Sequence, residues 1–137
     1  MNNYLKAEFE AKAINESLAR IIVAGFIMPL DPTIEELADV KTAVSEAVTN
    51  SIIHGYEGKG GKIILELILE DGLFTLKVYD DGVGIADIHK AREPLYTSKP
   101  ECDRSGMGFT VMESFMDSLH IFSSQGCGTT VVMTKKF

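Results

Sequence analysis

Apolar residues along the chain change their period several times, and each change marks an element. From Tyr4 to Ala11, Leu5, Ala7, Phe9 and Ala11 alternate with polar neighbours, which predicts a first strand with one half-buried face. Ile14, Leu18, Ile21, Ile22, Gly25 and Phe26 then recur at helical spacing over Ile14–Met28, a helix that starts near Lys12–Asn15 and stops at Pro29. Asp31-Pro32-Thr33-Ile34-Glu35-Glu36 reads as the next helix start, with Asp31 as the expected cap, Pro32 in the first turn and two glutamates at the positive dipole end. Ile34, Leu37, Val40, Val44, Val48 and Ile52 carry that helix to about His54, where Gly55 is expected to end it.

Beyond Gly55 the period shortens to two. Lys62–Glu70 and Phe74–Tyr79 are rich in Ile, Leu and Val, and Glu70-Asp71-Gly72 between them signals a hairpin. From Asp81 to Arg104 no period holds, and Gly, Pro, Lys and Ser recur. A loop that long without structure of its own is usually functional, so residues 86–105 are expected to form a lid. Phe109–Met116 suggests a short helix, and the strands Leu119–Ser123 and Thr130–Thr134 flank the turn Gln125-Gly126-Cys127-Gly128. Hairpins with few crossovers predict one α+β domain over residues 1–137, a two-layer sandwich whose mixed, mostly antiparallel sheet carries helices on one face.

Composition narrows the function. Hydrophobic residues at 45% and charged residues at 24% are ordinary for a globular domain of 137 residues. A net charge of −7 argues against direct nucleic-acid binding, which needs a basic footprint. The longest apolar stretch, Ile21–Leu30, is too short for a membrane span and is broken by Pro29. The opening Met1-Asn2-Asn3-Tyr4-Leu5-Lys6 lacks the pattern of a signal peptide, and Cys102 and Cys127 are far apart and without metal-ligand spacing. A cytoplasmic domain with free thiols is the expectation.

Four short constellations carry candidate chemistry. Glu46 and Asn50 lie four apart on one helix face, with His54 continuing the row. A carboxylate can accept a proton and an amide oxygen suits Mg²⁺, although the same row also describes an ordinary solvated stripe. Asp80-Asp81-Gly82-Val83-Gly84-Ile85 follows a strand directly. Asp80 could accept a hydrogen bond from an exocyclic amine while Gly82 and Gly84 let backbone approach a ligand; an acidic turn is the plainer alternative. Ser105-Gly106-Met107-Gly108-Phe109 opens a helix, where free N–H groups suit phosphate oxygens, but its spacing is neither a P-loop nor a Rossmann fingerprint. Gly126-Cys127-Gly128-Thr129-Thr130 reads as a hairpin turn, or as a threonine hydroxyl beside a purine.

In this order, Glu46-x-x-x-Asn50, Asp80-x-Gly82-x-Gly84, Gly106-x-Gly108 and Gly128-Thr129-Thr130 resemble the N-box and glycine boxes of the GHKL ATPase/kinase superfamily, over the chain from about Ser45 onward. The run from Ser45 to Tyr56 and the run Arg104–Phe109 are similar to its branch of anti-sigma-factor serine kinases from spore-forming bacteria. Asp81 and Phe109 depart from the superfamily's frequent Asn and Leu. The resemblance implies a Bergerat-type sandwich that binds ATP or ADP with Mg²⁺ under a lid. Asn50 would hold Mg²⁺, Asp80 would read adenine, and Thr130 or Thr129 would support Asp80. Gly82, Gly84, Ile85, Gly106, Met107 and Gly108 would shape the pocket, with Thr97, Ser98, Lys99, Arg104 and Ser105 reaching it from the lid. Glu46 would accept or orient the proton of the incoming hydroxyl. The branch implies phosphorylation of a serine on an anti-anti-sigma protein, and a homodimer that sequesters a sporulation sigma factor of the sigma F type or its stress-response counterpart. Partner contacts are expected near the first strand and the Ile14–Met28 helix, where Glu16 and Arg20 lie four apart. A free histidine-kinase catalytic domain and a nucleotide-switched binding module without kinase activity are the competing readings.

Overall fold

The computed structural model describes residues 1–93 and 108–137. In chain order these form β1 (Asn3–Glu10), α1 (Ile14–Ile27), α2 (Ile34–Asn50), β2 (Lys62–Glu70), β3 (Leu73–Asp80), α3 (Ile88–Ala91), α4 (Gly108–Phe115), β4 (Ser118–Ser123) and β5 (Thr129–Lys136). The strands make one five-stranded sheet in the order β1-β2-β3-β5-β4, and every ladder in it is antiparallel. The expected mostly antiparallel sheet is therefore antiparallel throughout. α2 packs between α1 and α4, giving the helical layer.

Period-two alternation explains why one sheet face takes the helices. Along β2, Ile63, Leu65, Leu67 and Leu69 are buried, and across β3 so are Phe74, Leu76 and Val78. The α2 stripe of Val40, Ala43, Val44, Ala47 and Val48 closes on them without any solvent exposure. The opposite face carries no helix among the described residues. There the Tyr4 and Tyr79 hydroxyls donate to Glu66, at 2.5 and 3.0 Å, with Lys77 3.7 Å away. These hydrogen bonds, led by that from Tyr4, hold the Glu66 carboxyl below its usual range.

Several boundaries differ from the sequence reading. Asp31 does not cap α2: its φ of 52° places it after a 3₁₀ turn, Met28–Leu30, that contains Pro29. Thr33 is the cap, because it accepts the Glu36 N–H while the Glu36 side chain accepts the Thr33 N–H, a reciprocal box that satisfies two donors. The Asp71-Gly72 hairpin is as expected, with φ of 52° and 82°. Inside the stretch expected as lid, Ile88–Ala91 is helical, capped by the Asp87 carboxylate accepting from the Lys90 N–H. Arg92 ties this short helix to Glu113 of α4 at 2.9 Å. Glu16 accepts from the Ser45 hydroxyl and pairs with Arg20 at 3.5 Å, joining α1 to α2. No helix among the described residues is long and apolar enough to cross a membrane.

Two substitutions separate core from cap. Leu76→Ala, at a fully buried position of the central strand, should cost about 2–5 kcal/mol, whereas Thr33→Ala should cost about 1 kcal/mol, both read by urea unfolding.

Candidate functional site

The site is assembled where the last turn of α2 meets the end of β3 and the start of α4. Burial of Val44, Ala47 and Val48 leaves Glu46 and Asn50 on the half-buried flank, one turn apart. Both reach the first residue of α4. A Cβ on Gly108 would stand 3.1 Å from the Asn50 amide atoms and 3.3 Å from Glu46 Oε2, so glycine lets the helix start against two polar side chains. Asn50 and Gly108, 58 residues apart in the sequence, thereby belong to one surface.

After Asn50 the helix widens into a π turn, Ser51–Gly55, in which the Tyr56 N–H donates to the Ser51 carbonyl at 2.9 Å. Ser51 and Asp80 are both buried, and the Ser51 hydroxyl donates to Asp80 Oδ2 at 2.8 Å. Asp80 Oδ1 accepts the Gly82 N–H at 3.0 Å. Burial pushes the Asp80 carboxyl above its ordinary value, against the lowering effect of hydrogen bonds from Gly82, Ser51 and the Thr129 backbone.

The glycines here serve close backbone approach. A Cβ on Gly82 would lie 2.1 Å from the Gly55 carbonyl oxygen, and one on Gly128 would lie 2.2 Å from the Asp80 carbonyl oxygen. Gly84, at φ 77°, admits the Ser124 carbonyl where a Cβ would be 2.0 Å away. Backbone bonds complete the joint: Val83 N–H to Gly55 carbonyl at 2.8 Å, and Gly126 N–H to Val83 carbonyl at 2.6 Å. The Ile85 N–H donates to Ser123 Oγ at 2.8 Å while its half-buried side chain packs on the core.

The two threonines part company. Thr129 pairs with Asp80 across the ladder and shares its face, but its hydroxyl is engaged with Ser123 Oγ at 2.9 Å, and its backbone N–H serves the carboxylate. Thr130 pairs with Tyr79, so the pleat turns it to the opposite face, away from Asp80. Of the two threonines expected to support Asp80, Thr129 does so through its backbone N–H and Thr130 does not, while Ser51 supplies the hydroxyl. Thr97, Ser98, Lys99, Arg104, Ser105, Gly106 and Met107, with Cys102, lie outside the described residues. Cys127 is an exposed free thiol.

Residues 9–135 match the model of the histidine kinase-like ATPase domain. The chain belongs to the histidine kinase-like ATPase family. Membership makes it a nucleotide-binding domain. It is 57% identical to the anti-sigma F factor of Clostridium acetobutylicum, over 100% of this chain and 96% of that protein. It is 57% identical to an anti-sigma F factor of Clostridium perfringens, over 99% of this chain and 98% of that protein. Identity to the anti-sigma F factor of Bacillus thuringiensis is 52%, over 98% and 93% of the two chains. Among solved structures, the RsbU and RsbW domains of Rv1364c from Mycobacterium tuberculosis share the fold. That match has a TM-score of 0.66 at 18% identity, covering 98% of this chain and 32% of the other.

Ser51, Gly55 and Tyr56 belong to none of the four candidate constellations, yet they hold Asp80 and the segment after it. One signal was present: Ser51 falls on the stripe of Val44, Ala47 and Val48, where a polar residue needs a buried partner. Gly55 is the last residue of the helical run, as expected, and it also makes room for the carboxylate: a Cβ there would lie 3.0 Å from both Asp80 oxygens.

Asp80→Asn tests the cost of the buried charge. The folded-state pKa is raised above the unfolded one, so ionised Asp80 costs stability above the folded pKa, and this cost fades as pH falls toward the unfolded value. The parent should therefore gain stability as pH falls from 7 toward about 4, a gain that the uncharged variant lacks, as followed by urea unfolding of both.

Proposed function

We propose that the chain is an anti-sigma factor that also acts as an ATP-dependent protein-serine kinase, with Glu46, Asn50, Asp80 and Gly108 at the centre of its nucleotide site. The observation that carries this reading is that Glu46 and Asn50 stand against Gly108 while the next residue of the same chain segment, Ser51, holds buried Asp80. A site with a buried carboxylate at one end and a hard amide ligand beside a carboxylate at the other suits a purine nucleotide lying between them.

In this reading Asp80 accepts a hydrogen bond from the adenine amine, and Gly82, Gly84 and Ile85 shape the wall beside it. Among the described residues no three His, Cys, Asp or Glu side chains form a metal cage. A single amide oxygen on Asn50 is the donor expected for Mg²⁺ held chiefly through phosphate oxygens. Bound Mg²⁺·ATP supplies the transferable phosphoryl group and the charge neutralisation that such transfer needs. Glu46, within a turn of Asn50, orients the acceptor serine hydroxyl and takes its proton. Lys99, Arg104 and the Ser105–Met107 segment, with Thr97 and Ser98, are proposed to complete the phosphate end.

Support for the partners comes from the relatives named anti-sigma F factor, which match this chain over nearly their whole length. On that basis a sigma factor of the sigma F type is the protein bound; the resemblance to the anti-sigma-factor kinases adds a serine of an anti-anti-sigma protein as the acceptor and a cytoplasmic homodimer as the working form.

Incubation with γ-labelled Mg·ATP and a candidate acceptor tests the chemistry. Label is expected on the acceptor's serine; label on a histidine, or none with nucleotide-dependent sigma binding, would replace the kinase reading. Glu46→Gln should keep ATP binding and lose transfer by about a hundred-fold or more, and retained transfer removes Glu46 from its role. Asp80→Asn should abolish ATP binding by calorimetry, and unchanged affinity would sink the adenine assignment.

A further inference from the structure

The five residues after α2 do more than end it. Ser51–Gly55 is wound with the wider π spacing, a form that is rare and concentrates at functional positions. Its contacts, with those of Tyr56 just after it, go to the last residue of β3 and the segment that follows. The Ser51 hydroxyl reaches the Asp80 carboxylate, the Tyr56 hydroxyl accepts the Asp81 N–H at 2.7 Å, and the Gly55 carbonyl accepts the Val83 N–H. Tyr56 is itself anchored, since its hydroxyl donates to the Lys62 carbonyl at the start of β2. A Cβ on Gly61 would fall 2.3–2.6 Å from its ring, so the ring is held against the chain there. The turn is thus braced from β2 and presses on the segment after β3.

An ionised carboxylate offers about four acceptor positions. Gly82, Ser51 and the Thr129 backbone use three, and one remains for a ligand. Each of these donors favours the ionised, acceptor-only form. A protonated carboxyl in the same place would instead donate, and a donor suits a 6-oxopurine rather than a 6-aminopurine.

We propose that Ser51, presented by this π turn, is a positioning and specificity residue for the base: its hydroxyl holds Asp80 in the orientation and acceptor-only state that select a 6-aminopurine over a 6-oxopurine. This rests on the reading that Asp80 meets the exocyclic amine. Ser51 touches no ligand; it acts through the carboxylate. The other contacts of the turn fix where that carboxylate stands.

Calorimetric titration of the full chain with Mg·ATP and with Mg·ITP is the test. Ser51→Ala should weaken ATP about ten-fold, the worth of one buried bond to a charged group, and leave ITP little changed, so that the ATP:ITP preference falls by the same factor. Ser51→Thr should restore the preference. If Ser51→Ala does not fold, Ser51→Cys, which keeps the volume and weakens the donor, should show a smaller fall in the same direction. An unchanged preference in the Ala or Cys variant, or equal loss for both nucleotides, overturns the proposal. Asp80→Asn separates the two layers. Lost ATP binding there with an intact preference in the Ser51 variants removes Ser51 alone. Unchanged ATP affinity in Asp80→Asn removes the base reading and Ser51 with it.

Discussion

Asp80 is a carboxylate taken out of water at the end of the central strand, and the geometry around it follows from satisfying it. An unpartnered buried charge costs several kcal/mol or neutralises by taking a proton, so donors must converge. They come from three places: the turn after α2, the segment after β3 and the start of β5. Satisfying one side chain therefore fastens three pieces of chain together. Only glycine fits at the points where those pieces touch, because a Cβ at 82 or 128 would occupy the position of a backbone oxygen.

The glycines consequently serve different purposes. Gly82, Gly84 and Gly128 close backbone on backbone, which fixes the site before any ligand arrives. Gly108 instead faces the side chains of Glu46 and Asn50, so its missing Cβ leaves room for polar groups. Preorganisation of this kind keeps the cost of ordering out of the binding step.

The helical layer supplies the rigidity. α2 buries a continuous stripe against α1, α4 and the sheet, and a rod so held cannot rotate without exposing valines on the far side. Glu46 and Asn50 inherit their direction from that stripe. The short helix α3, tied to α4 through Arg92 and Glu113, brings the beginning of the expected lid to the helix whose first residue lines the site.

Much of this was legible in the residues. Alternation in β2 and β3, the helical period of α1 and α2, and the Asp71-Gly72 turn are local properties, written in side-chain polarity and allowed φ. The placement of Glu46 and Asn50 on one flank is equally local, since residues four apart share a helix face. What no local rule contains is which polar group a buried carboxylate will find. Thr129 and Thr130 are equivalent as letters, and only the β3–β5 register puts one on Asp80's face and the other on the reverse. Ser51 is an unremarkable residue beside Asn50 until the π turn brings its hydroxyl to a strand end 29 residues away. The sequence by itself determined the elements, the faces and the site's chemical inventory; tertiary structure alone decided the pairing, because hydrogen-bond partners of buried groups are set by where the chain returns.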